Sequence, residues 1–242
     1  MAVRRRSYDQ FCAVARALDL VGERWTLLLI RELMLGPKRF KDLLDGLPGI
    51  GTNLLADRLK EMEAAGIIAR RVLPPPAGSS VYELTDRGRG LEPVVFALGA
   101  WGHQFMGMRK ATDALRPGWI MVSLRATFHP EAVSRRERFE IRIDGEPFQV
   151  HVDRGEARTS QGSMPDPDAV LSMDRPALVG LLSQGLSPQA ALRSGAVRVD
   201  GDQGAVQRFV NLFGWTHSTG HGRSVAERRR NKPARVTKVI SR

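Results

Sequence analysis

Apolar residues in the first hundred positions recur mostly at helical spacing. Phe11 to Leu20 and Trp25 to Leu35 each present an apolar face, and Gly36-Pro37 separates the second helix from the next. Phe40, Leu43 and Leu44 predict a short helix ending near Gly46-Leu47-Pro48-Gly49. A longer helix begins near Gly51-Thr52, with Leu55, Leu59 and Met62 on its buried face and Gly66 as its stop. Two β-prone runs follow, Ile67–Leu73 and Ser80–Leu84, around a Pro-rich tip at 74–79. Thr85-Asp86 then opens a last helix, kinked at Pro93, that continues to about Met106.

From about residue 115 the period changes. Phe139–Ile143 and Phe148–Val152 alternate apolar and polar, as half-buried strands do. Asp144-Gly145 and Asp153-Arg154-Gly155 read as turns between neighbouring strands. Ala169–Met173 and Val197–Val199 add short strands, and 176–184 and 188–194 read as helices, the second opened by Ser187 and Pro188. A helix over Asp202–Phe213 places Val206, Phe209, Val210 and Phe213 on one side. The expected fold class is α+β. Residues 1–110 form a helical unit with a two-stranded hairpin, residues 111–216 form a sheet-plus-helices unit, and residues 217–242 form a basic tail expected to be disordered.

Composition narrows the function. The chain has 242 residues and a net charge of +11. Residues 1–110 carry 17 Lys/Arg against 12 Asp/Glu, residues 111–220 carry 12 against 13, and residues 221–242 carry 8 against 1. The positive excess on the first half and the tail points to a polyanion, with nucleic acid first among candidates. The longest uncharged run, Pro93–Met108, is too short and too polar to span a bilayer. No apolar segment follows Arg4-Arg5-Arg6, so no secretory signal is expected and a cytoplasmic location is. A single cysteine, Cys12, excludes an internal disulfide framework. The histidines show no metal-ligand spacing, and phosphate loops, dinucleotide fingerprints and nucleophile elbows are absent. No metal, cofactor or catalysis is expected.

Helix, helix, turn, helix, hairpin is the winged helix-turn-helix order, which suits a DNA groove. Opposite Leu55, Leu59 and Met62, the 52–65 helix presents Thr52, Asn53, Ala56, Asp57 and Lys60. Asn53 is the best base reader, because its amide can pair bidentately with adenine. Thr52 reads equally as a contact or as the helix N-cap. Lys60 is a phosphate contact. Arg58, nearer the buried side, either reaches a phosphate or pairs with a neighbouring acid. Lys38 and Arg39 open the preceding helix, and Arg70 and Arg71 flank the wing, all as backbone contacts.

Four stretches carry a family resemblance. They are Cys12 to Trp25, Leu35-Gly36-Pro37-Lys38-Arg39-Phe40, Leu47 to Leu55, and Tyr82-Glu83-Leu84-Thr85-Asp86-Arg87-Gly88. Over residues 8–106 the chain resembles the HxlR-type winged-helix transcriptional regulators. The resemblance implies double-stranded DNA as partner and a homodimer built from the first and last helices of the segment. It also implies a recognition helix at Thr52–Ala65 and a wing near 72–82. Gly51 departs from the Ser or Thr common there, and Ala13 from Pro. Some members sense oxidants or electrophiles through an N-terminal cysteine, which makes Cys12 a candidate sensor. The alternative is a small buried residue near the dimer interface.

Residues 115–215 resemble the sterol-carrier-protein type of domain. The resemblance rests on Phe139–Val152 with its Asp144-Gly145 turn, on Pro167–Asp174 and on Ser194–Asp202. It implies an apolar tunnel and a hydrophobic small-molecule ligand. Candidate lining residues are Met121, Phe148, Met173, Leu178, Leu182 and Phe213, each equally expected as plain core. The leading reading is a dimeric DNA-binding regulator with a fused ligand-sensing domain. Its rival is a hydrophobic-ligand carrier whose winged helix mediates protein contacts.

Overall fold

A computed structural model describes residues 7–74, 78–105, 110, 112–182, 186–202, 208–209 and 211–213. The first half contains α1 (Ala13–Val21), α2 (Thr26–Leu33), α3 (Phe40–Gly46) and α4 (Thr52–Ala64). The hairpin β1 (Ile68–Val72) and β2 (Ser80–Leu84) follows, then α5 (Asp86–Arg89) and α6 (Glu92–His103). β1 and β2 pair antiparallel from Ile68↔Leu84 to Val72↔Ser80. Gly66 takes a positive φ of 67° behind α4, and the Ile67 N–H reaches back to the Met62 carbonyl at 2.9 Å. This closure turns the chain from helix into strand. The expected single helix from Thr85 to Met106 is two helices. The chain breaks at Gly90-Leu91, and Pro93 sits in the first turn of α6, where its missing N–H costs nothing. Of the wing tip, 75–77 lie outside the described residues, as do 106–109.

The second half contains α7 (Pro117–Ala126), β3 (Glu137–Ile143), β4 (Glu146–Asp153), β5 (Glu156–Gln161), β6 (Ala169–Met173), α8 (Arg175–Leu182), α9 (Pro188–Ser194) and β7 (Val197–Gly201). Residues 208–209 and 211–213 are helical again. Val206, Val210 and the 217–242 tail lie outside the described residues. The strands form one sheet in the order β5-β4-β3-β6-β7, with β3 and β6 parallel and the other pairs antiparallel. Both hairpins close with two residues at positive φ, Asp144-Gly145 and Arg154-Gly155, the turn geometry whose twist matches antiparallel strands. One sheet face is buried and mostly apolar, with Glu137 and Thr159 as its buried polar members. Phe139, Ile141 and Ile143 meet Phe148, Val150 and Val152 there, and Ala169, Leu171 and Met173 continue it. Phe209 packs edge-on against Phe139 with ring centroids 5.0 Å apart, and Phe213 lies beyond it. Arg208 ties that helical segment to the buried carboxylate of Glu137 on β3.

The two halves share a continuous core through α7, which touches α2 and α6 on one side and β4 and β5 on the other. Arg125 of α7 pairs with Glu92 of α6 at 2.5 Å and lies over Phe96. The Gln161 N–H donates to the Leu35 carbonyl at 2.9 Å, joining the edge strand of the sheet to the end of α2. Leu35 presses so closely on Gly118 that a Cβ there would meet its Cδ1 at 2.8 Å. Among the described residues, no helix is long and apolar enough to cross a membrane.

Candidate nucleic-acid interface

The α4 sequence sorts its side chains cleanly. Leu55, Leu59 and Met62 are fully buried, while Thr52, Asn53, Ala56, Asp57 and Lys60 are exposed. Gly51, not Thr52, is the N-cap, with extended backbone and no side-chain cap bond. The capping reading of Thr52 is thereby corrected: it is the first helical residue, and its hydroxyl stands beside Asn53 at the exposed tip of the rod.

Two knots hold α4 in place. Thr85 Oγ1 donates to the Gly66 carbonyl at 2.6 Å and accepts the Gly88 N–H at 3.1 Å, while Arg87 donates to the Ala65 carbonyl at 3.0 Å. The Thr-Asp-Arg-Gly stretch thus binds the end of α4 to the end of β2. At the other end, Trp25 precedes α2 at a positive φ of 80°, and its ring packs against Gly49 in the turn that leads into α4. A tryptophan in left-handed backbone is rare enough to mark a fixed contact. The sequence pattern put Trp25 at the start of the second apolar helix; it stands instead just before α2, and this contact was not visible in the pattern.

The basic residues divide. Lys60, Arg39, Arg70 and Arg71 are exposed. Arg39 precedes α3, where its N–H donates to Asp42 at 2.9 Å. Arg70 donates to Ser80 Oγ at 3.1 Å, and Arg71 forks onto Glu83 at 3.1 and 3.2 Å, so both are braced across the wing. Arg58 takes the second of its two expected roles. It is 14% exposed and paired with Glu61 at 2.6 Å and, more distantly, Glu23 at 3.7 Å. Lys38 sits at the junction between the halves. Its backbone bridges Tyr82 of the wing in both directions, at 2.9 and 2.8 Å, and its amine bonds Gln161 Oε1 in the second half. Burial holds its ammonium below the usual lysine range, with Glu32, Asp42 and Glu146 partly opposing. Its charge serves the junction between the halves, because the α3 entry faces β5 there.

Apolar residues are left exposed in two stretches. Phe11, Val14 and Leu18 lie before and along α1, and Val94, Leu98, Trp101 and Phe105 lie along and just after α6. Cys12 is exposed at the N-cap of α1. Arg16, one helical turn beyond Cys12, lies 3.7 Å from Asp19.

In the second half, Met121, Phe148, Met173, Leu178 and Phe213 are all buried core residues, none more than 7% exposed. The Leu182 side chain lies outside the described residues. Two clefts are lined by other residues. One, of about 1090 Å³, lies between the halves along Pro48, Leu115, Arg116, Asp144, Glu146 and Arg175. The other, of about 550 Å³, lies at the turn end of the β4–β5 hairpin. Among the described residues, no cluster of His, Cys, Asp and Glu has the makings of a metal site.

A buried-backed helix set in a helix-turn-helix frame, with a braced wing beside it, defines the class of winged helix-turn-helix transcriptional regulators. Residues 20–110 match the model of HxlR-like helix-turn-helix proteins, and residues 130–214 match that of the SCP-2 sterol transfer family. The HTH-type transcriptional regulator YodB of Bacillus subtilis (strain 168) is 44% identical over 89 residues, covering 37% of this chain and 80% of that protein. The uncharacterized HTH-type regulator sll1512 of Synechocystis sp. (strain ATCC 27184 / PCC 6803 / Kazusa) is 36% identical over 107 residues, 44% of this chain and 79% of that one. The solved reduced form of YodB aligns over 42% of this chain and 100% of its own, at 39% identity and a TM-score of 0.36. The chain belongs to the HxlR-like helix-turn-helix family. It is a transcriptional regulator of that type whose second half carries an SCP-2 domain.

Proposed function

We propose that residues 1–110 bind double-stranded DNA as a homodimer, and that residues 111–216 form a domain that adjusts this binding. One observation carries the reading. The α4 rod shows a small, polar, exposed tip at Thr52 and Asn53 while its opposite face is locked into the core. Small groups at that tip approach base edges, and Asn53 has the donor–acceptor pair that matches adenine. Lys60, Arg39, Arg70 and Arg71 supply phosphate contacts around it. Two copies of α4 must reach neighbouring major grooves about 34 Å apart. The exposed apolar residues of α1 and α6 offer the dimer surface that sets this distance.

The second half is joined to the first through α7 and Leu35, so a ligand that alters its packing alters the pose of α4. A hydrophobic small molecule is the ligand class that the SCP-2 match favours. Cys12, exposed beside the dimer surface, is a second input through oxidation or electrophile addition. Mass spectrometry of the folded protein after mild oxidant or aldehyde checks this input, which fails if Cys12 stays unmodified. The regulator acts in the cytoplasm, where its DNA is, and carries out no catalysis.

Fluorescence anisotropy on labelled duplex DNA, repeated across salt concentrations, tests the DNA reading. The logarithm of the affinity falls linearly with the logarithm of salt, with a slope of about −0.9 per phosphate neutralised. A salt-independent interaction, or none, ends the reading and favours a carrier whose winged helix binds protein.

A further inference from the structure

On the sheet face opposite the Phe139–Val150–Val152 core, the register lines up three basic side chains. Arg138 of β3 stands opposite His151 of β4, and His151 opposite Arg158 of β5. Arg136 and Arg154 extend this row. With His151, Asp153, Glu156 and Arg158 they line the cleft of about 550 Å³.

The local charges do not cancel. Among the described residues, the ion pair within this group is Arg158–Glu156 at 2.9 Å. Arg138 turns toward the Pro165 carbonyl. Asp153 and Glu156 stand opposite each other across the hairpin turn, so one acid is spent on Arg158 and the other faces an acid. Three guanidiniums, Arg136, Arg154 and Arg158, therefore share the cleft with two carboxylates. The half-buried His151 imidazole, bonded at Nε2 to Gln149 Oε1 at 3.1 Å, is held below the usual histidine range by burial, then by Arg138 and Arg136.

We propose that this cleft binds a small phosphate-bearing anion, gripped by Arg136, Arg154 and Arg158 with His151 alongside. Guanidinium forks match phosphate oxygens bidentately, and three arginines lining one cleft, from the loop into β3, the β4–β5 turn and β5, surround such a group better than a planar carboxylate. The assignment goes beyond the hydrophobic-ligand reading and stands on different residues. The site also has a structural line to the first half. β5 carries Arg158 near its cleft end and Gln161 at its far end, where Gln161 bonds both Leu35 and Lys38.

Proton NMR of the full-length protein tests the proposal, with His151→Gln used to assign the imidazole resonance. Inorganic pyrophosphate is titrated in at ionic strength held constant with sodium chloride. The expected result is a saturable shift of the His151 signal and a rise in its pKa, because a bound anion favours the imidazolium. The double variant Arg136→Ala/Arg158→Ala weakens this binding about tenfold or more while the other amide resonances keep the native pattern. A shift that never saturates, that sodium chloride alone reproduces, or that survives the double substitution overturns the proposal. So does saturation by duplex DNA with none by pyrophosphate, which makes the cleft part of a nucleic-acid surface. DNA anisotropy on the same sample reads the regulator function separately, so either can fail alone.

Discussion

The Trp119 indole N–H, on α7, donates to Glu32 Oε1, on α2, at 2.6 Å, and the Arg31 guanidinium lies 4.2 Å over the same ring. Glu32 is buried and also accepts from Arg31 at 2.8 Å. A buried carboxylate needs every such donor, because an unpaired charge away from water is costly. Trp119→Phe keeps the ring and removes the donor. The expected loss is about 1.5–3 kcal/mol of unfolding free energy, read by urea denaturation. Amide hydrogen exchange in α7 should also quicken, because α7 grips the first half less firmly.

Gly88 has no room for a side chain. A Cβ there would lie 2.1 Å from the Ile67 carbonyl oxygen. Gly88→Ala must push α5 off the end of β1 and break the Thr85–Gly88 cap. A loss of at least about 2 kcal/mol is expected, against the small gain alanine brings to an ordinary helix. Thermal unfolding checks the sign: a variant as stable as the parent would mean that the knot behind α4 is loose.

Much of this was legible in the sequence, for identifiable reasons. The faces of α4 follow from Leu55, Leu59 and Met62 at helical spacing, and the wing from two β-prone runs around prolines. The hairpin turns follow from Asp144-Gly145 and Arg154-Gly155. What stayed hidden depends on partners distant in sequence. In α7, Ile120, Met121, Val122 and Leu124 are all buried because both halves grip the helix, so no single stripe betrays it. β5, reading Glu-Ala-Arg-Thr-Ser-Gln, is an edge strand with almost no apolar signal, and it is where Lys38 finds Gln161. Local patterning placed Lys38 at a helix start but could not see a neighbour 123 positions away. That Thr52, Asn53 and Lys60 lie on the exposed face of α4 was legible because it needs only the helix itself.

Asn53 and Lys60 should separate base reading from phosphate attraction. Asn53→Ala removes a bidentate partner and relaxes preference at one position by about 1–3 kcal/mol. Lys60→Ala weakens all sequences alike and lowers the salt slope by about one unit. Anisotropy on a panel of single-base operator variants distinguishes them. Identical effects of the two substitutions on every duplex would count against Asn53 as a reader.

Gly51 caps α4 with backbone that any residue can adopt, φ −82° and ψ 151°, and nothing lies within 4 Å of where a Cβ would go. Serine at this place supplies a hydroxyl to an orphan N–H of the first turn and restricts the unfolded chain. Gly51→Ser should therefore stabilise the protein by about 0.3–1 kcal/mol. If the added hydroxyl obstructs the approach of Thr52 and Asn53 to DNA, affinity falls while stability rises. Chemical denaturation and anisotropy on one preparation separate the two effects.

Trp101, on α6, is 61% exposed and stacks edge-on against Phe105 with centroids 4.9 Å apart. Two aromatic rings and the neighbouring Leu98 in water are an expensive surface for a monomer to keep, and aromatic clusters of this kind anchor interfaces. Trp101→Glu places a charge where a partner copy would bury it. The expected outcome is dissociation by at least tenfold in sedimentation equilibrium, about 1.4 kcal/mol or more. Helical content by circular dichroism should hold in the dissociated protein, since Trp101 covers none of the protomer's own core. DNA affinity should fall with it, because a lone α4 reads one groove where two reinforce each other. Unchanged sedimentation with unchanged DNA affinity would place the dimer contact elsewhere and leave the exposed residues of α1 and α6 without that role.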